Sequence, residues 1–218
     1  MGVFVKSRNL KNIGLLRQFV VSYSDHPKEK IEPSLSRESK MEKTKLYIAL
    51  RALDRALSVL QATSVGVPVE VIQFLDEAWD HLRGDQIALR VKKINQKVDS
   101  IIKHKDDASI LELRVNYFLY AFSTLVLYFS DGVAQSLDFV AEDIVKLYQF
   151  DFEQEYIKGR DVLLGIYSDD DLEKIENCKP VAAERGSQAI DWEFAKSIRD
   201  WSKIDKIKTI PLHTTEAR

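Results

Sequence analysis

The stretch SDDDLEKIE, Ser168 to Glu176, places five acids within nine residues: Asp169, Asp170, Asp171, Glu173 and Glu176. Carboxylates this close together raise a local negative potential, and the chemistry open to them is attraction of a cationic surface rather than bond making. A second constellation, FLDEAWDHLRGD, sets Glu77 and His81 four residues apart, hence on one face of a helix, with Asp76 and Asp80 displaced by one position. That pair is a candidate for metal ligation and for a metal-dependent hydrolase. It lacks the HExxH pattern of zincins and the paired Glu-x-x-His of di-iron bundles, so a solvated polar face opposite Leu75, Trp79 and Leu82 is the more economical expectation.

Other reactive groups are isolated. Cys178 is the single cysteine, in ENCKP with no histidine near it in sequence, which excludes an intrachain disulfide, a zinc ribbon and a CxxC redox pair. His26, His104 and His213 have no setting comparable to that of Glu77 and His81. The pairs Glu142/Asp143 and Glu153/Glu155 would support acid and base chemistry only if burial moved their pKa values apart. Neither a Walker pattern, GxGxxG nor GxSxG occurs among the eight scattered glycines. No catalytic residue and no cofactor are expected.

The elements that must carry these groups are helical. Leu46, Leu50, Leu53, Leu57 and Leu60 alternate spacings of four and three, with Ala49, Ala52 and Ala56 beside them to allow close approach of a neighbour. Pro68 opens and Gly84 closes the next helix, through Val71, Ile72, Leu75, Trp79 and Leu82. Asp85 then caps a helix whose stripe is Ile87, Val91, Ile94, Val98 and Ile101.

Val115 to Ser130 is the longest uncharged run, 16 residues, short of the roughly 20 needed to span a bilayer. Apolar on nearly every side, it predicts a central helix at about residues 110–130 whose aromatic residues, Tyr117 to Phe129, build the core. Ser130, Asp131 and Gly132 form a turn into an antiparallel amphipathic partner carrying Val133, Leu137, Val140, Ala141, Ile144 and Tyr148. GRDVLLGIYSDDD is open to a loop, an isolated strand or a broken helix. A last helix starts after Pro180 and includes Ile190, Phe194, Ile198 and Trp201.

The expected fold is therefore all-α: a compact multi-helix bundle in one domain, residues 1–218. Residues 34–45 are read as a flexible segment or an exposed helical start, and residues 205–218 as a loosely ordered tail. A hydrophobic share of 45% and a charged share of 30% are ordinary for a soluble globular chain. The first 24 residues are basic and amphipathic, with Lys6, Arg8, Lys11 and Arg17 and no acid, but lack a signal peptide's apolar core; Lys6 stands where a myristoylation signal needs Ser or Thr. With one cysteine, a cytoplasmic location is expected.

Charge is partitioned along the chain although its total is −2. Residues 1–64 hold 12 bases and 6 acids, a net +6, whereas residues 131–177 hold 4 bases and 13 acids, a net −9. Such a block repels phosphates and favours a protein partner with a basic surface. A small helical body with an acidic region and no catalytic motif resembles bacterial toxin-immunity proteins of the all-helical type. That resemblance implies a non-catalytic inhibitor that occludes the basic site of a nuclease-type toxin, with Asp169, Asp170, Asp171, Glu173 and Glu176 as the contact; a helical scaffold or regulatory module is the other non-enzymatic expectation. Residues Pro68 to Tyr148, especially FLDEAWDHLRGD and YAFSTLVLYFSDGVAQSLDFVAEDIVKLY, also resemble the uncharacterised helical YjaG-like family, which implies an all-α fold and no particular activity.

Overall fold

The computed structural model describes residues 39–61, 66–84, 91–102, 108–158 and 167–204. Among these residues every regular element is a helix: α1 Lys40–Gln61, α2 Val69–Arg83, α3 Val91–Ile101, α4 Ile110–Asp131, α5 Ser136–Ile157, α6 Asp169–Glu176, α7 Lys179–Ser197 and a single 3-10 turn, Trp201–Lys203. The protein is an all-α bundle with an apolar helix at its centre.

Helix α1 packs against α2, α4, α5 and α7, and the leucine and alanine stripe explains why: all of Leu46, Leu50, Leu53, Leu57 and Leu60 are buried, with Ala49, Ala52 and Ala56. The small side chains let neighbouring backbones come close while the leucines interdigitate. Its first turns are residues 40–45, so the part of the 34–45 segment that is described begins a helix. Pro68 sits one position earlier than expected, as the N-cap, and α2 ends where Gly84 adopts φ 99° and its N–H reaches the carbonyls of Asp80 and His81. Asp85, residues 159–166 and the tail 205–218 lie outside the described residues, as do His26, His104 and His213.

Helix α4 occupies the predicted position. Ser109 caps it with a full capping box, accepting from the Glu112 N–H while the Glu112 carboxylate accepts from the Ser109 N–H at 2.8 Å. Phe118, Leu119, Phe122, Leu125 and Val126 are fully buried, and Phe74 of α2 stacks edge-on against Phe122 at 5.4 Å. It is the one helix among the described residues long and apolar enough to cross a membrane by length and composition, and its inner face is packed within the bundle.

Gly132, at φ 71°, ends α4, and four residues later α5 runs back along it. The antiparallel register is fixed by Arg114 against Asp151, Nη2 to Oδ2 2.8 Å, and by the Tyr117 and Phe150 rings at 5.0 Å. Val133 belongs to the connection rather than to α5 and is exposed.

Candidate functional site

The acidic stretch Ser168 to Glu176 resolves into a capped helix. Ser168 is the N-cap, its hydroxyl accepting from the Asp171 N–H, while the Asp171 carboxylate accepts from the Ser168 N–H and hydroxyl. Acids in a first helical turn also face the partial positive charge of unpaired backbone N–H groups. Part of this acidity therefore builds the helix that carries it. Asp171 has a further duty: it accepts from the Tyr156 hydroxyl of α5 at 2.6 Å, and with Ile175 buried beneath, this pins α6 to the bundle. Asp171 is half-buried, whereas Asp169, Asp170, Glu173 and Glu176 are exposed. Four of the five predicted contact residues thus face outward on one short anchored helix, and the fifth orients it.

The rest of the block from 131 to 177 is shared out over the molecule. Asp138 pairs with Lys45 of α1 at 2.6 Å, Asp151 with Arg114 of α4, and Asp143 with Lys146 of its own helix at 2.6 Å. Glu153 accepts from the Tyr167 hydroxyl. Burial pushes the Asp151 carboxyl up from its ordinary value, and Arg114 beside it pulls in the opposite direction. These pairings leave four exposed acids on the outer side of α6, with Asp131 exposed at the end of α4 and Glu142 and Glu155 exposed on α5.

A further concentration of charge, absent from the candidate residues, lies inside. Arg55 donates through Nε and Nη2 to both oxygens of Glu184 at 2.9 and 2.7 Å, and through Nη1 to Asp191 at 2.5 Å, while Arg51 Nε reaches Asp191 at 3.3 Å. All four residues are buried, Glu184 completely. Gln188 links Glu184 to the Ala141 carbonyl of α5, so α1, α5 and α7 are joined through one polar group. A signal was available: Arg51 and Arg55 stand four apart on the alanine-lined face of α1, and Glu184, Gln188 and Asp191 repeat at four and three on α7.

Beside this group a small open groove of about 210 Å³ lies between α1, α5 and α7, lined by Lys45, Ile48, Leu137, Gln188 and Trp192 among others. Its one ion pair, Lys45 with Asp138, is internally balanced, and its lining residues include no Ser, Thr, Cys or His.

Glu77 and His81 lie on α2, both half-buried. The His81 ring packs edge-on against Phe129 of α4 at 5.3 Å. Among the described residues no group of three or more His, Cys, Asp or Glu side chains is disposed to hold a metal ion, so the pair lacks a third donor there. Cys178 is buried at the N-cap of α7. Comparison of the chain with protein-family models, with curated proteins and with solved structures finds no match.

Proposed function

We propose that the protein is a non-catalytic cytoplasmic binding protein that offers the outer side of α6 to a partner with a basic surface, and that it serves as an immunity protein neutralising a cognate bacterial toxin by occluding such a site. One observation carries this reading: Asp169, Asp170, Glu173 and Glu176 are exposed together on a helix held in place by the Tyr156 to Asp171 hydrogen bond. Fixed carboxylates can take the positions that substrate phosphates occupy in a nuclease cleft, and a preformed helix loses little conformational entropy on docking.

The experiment is to purify the full chain with the product of the adjacent gene and follow association from about 50 to about 500 mM salt. Charge-steered binding slows steeply over that range, and neutralising the four exposed acids as D169N, D170N, E173Q and E176Q slows association by about tenfold or more at low salt. Absence of a complex, or an association rate indifferent to both salt and substitution, removes the proposal.

A further inference from the structure

Helix α7 buries charge and exposes apolar groups, the reverse of the usual arrangement. Glu184 and Asp191 point inward, while Ile190 is 70% and Phe194 48% exposed. By helical periodicity Ile190 and Phe194 lie on one flank of an outer stripe formed by Ala182, Gly186 and Ala189, all three exposed. Glycine is among the least favourable residues inside a helix, yet a β-carbon at Gly186 would meet no atom within 4 Å, so no close neighbour within the described chain calls for its small size.

The two ends of this helix differ in charge. At its start α6 adds five acids against one base over residues 168–177, a net of −4, and at its end residues 196–203 hold three bases against one acid, a net of +2. Glu173 and Glu176 at one end and Lys196, Arg199 and Lys203 at the other are exposed. Lys196 and Lys203 pair with Glu193 and Asp200 at 3.0 and 3.1 Å, but these are surface pairs between neighbours in sequence and are readily exchanged.

We propose that the outer side of α7 is the contact through which two copies of this chain associate, α7 against α7 in antiparallel. Charge selects both the occupant and its direction. An antiparallel two-fold pairing lays the acidic end of each copy over the basic end of the other, twice by symmetry, whereas a parallel one sets like charges together. With the axis midway between Gln188 and Ala189, Phe194 of one copy comes level with Ala183 of the other, and Ile190 lies within a residue of Gly186. Glu176, just ahead of α7, comes to the end that carries Arg199 and Lys203. Each large side chain then meets a small one, and the glycine lets the second backbone approach. A helix of 19 residues is only about 28 Å long, too short to bury about 1,200 Å² by itself, so the dimer forms at tens of micromolar and is not obligate. The inference does not rest on the role given to α6 in toxin binding, and its test uses this chain alone.

The test is sedimentation equilibrium of the full chain from about 5 to about 500 µM at about 50 mM salt, where a reversible monomer to dimer equilibrium is expected. Gly186→Leu places a side chain in open space, so the monomer keeps its thermal midpoint while dimerisation weakens by about tenfold or more. R199E with K203E in one chain, and E173K with E176K in another, each weaken self-association by about tenfold, and mixing the two chains restores a mixed dimer because opposite charges again meet at both ends. A chain that stays monomeric throughout the range overturns the proposal, as does a dimer indifferent to Gly186→Leu or a mixture of the two charge-reversed chains that fails to associate.

Discussion

Arg55 and Glu184 meet fork to fork in the interior, 129 residues apart in sequence, their two hydrogen bonds at 2.9 and 2.7 Å, and Asp191 closes the other side of the guanidinium. Burial opposes the charge on Arg55, but the two carboxylates more than offset it and hold the guanidinium well above its ordinary value. Removing one partner strands the other without solvent. Arg55→Ala or Glu184→Ala is therefore expected to cost about 3 to 5 kcal/mol in urea unfolding, whereas Arg55→Met combined with Glu184→Leu, which leaves Asp191 to Arg51, costs far less than the two losses added. Additive losses would show that the pair contributes independently of its geometry.

Tyr47 links this group to the aromatic cluster, its ring 5.7 Å from that of Trp79. Burial raises its hydroxyl from 10.0 to about 12, Arg51 draws it back and Asp191 adds to the rise. The folded state thus binds the phenolic proton more tightly than the unfolded chain does. Its contribution is fully present below pH 10 and is lost as pH climbs through about 12. Comparing the full chain with Tyr47→Phe should give a stability difference that is flat below pH 10 and then shifts against the tyrosine between these limits, measured by alkaline urea titrations.

Ser168→Ala leaves every acid of α6 in place and removes the hydroxyl that caps it. A lost N-cap costs about 1 kcal/mol. Amides of α6 should then exchange with deuterium about fivefold faster, with protection in α4 unchanged. If α6 acts through fixed geometry, the same variant weakens partner binding without altering its salt dependence.

Apolar periodicity made most of the fold legible. The leucines of α1 and the uncharged run of α4 placed both helices because packing them was the only way to remove so much apolar surface from water. Helix α7 was harder. Its apolar positions Ile190 and Phe194 are exposed, at 70% and 48%, while Glu184 and Asp191 point inward. Hydropathy treats a carboxylate as a surface group, and only the arginines of α1, more than a hundred residues earlier, make its burial tolerable. The candidate contact was legible as composition but only partly as geometry: the spacing of Ser168 and Asp171 marks a capping pair, yet nothing in SDDD shows that Asp171 also turns to Tyr156.

The clamp between the first described helix and the last large one has a bearing on biosynthesis. While the chain leaves the ribosome, Arg51 and Arg55 are exported long before Glu184 and Asp191, so the emerging bundle carries two solvated guanidinium groups where its interior will be. Closure waits until α7 has cleared the exit tunnel. A message truncated anywhere before codon 184 would yield a product unable to seal that seam, and cellular proteases would have a simple criterion for removing it.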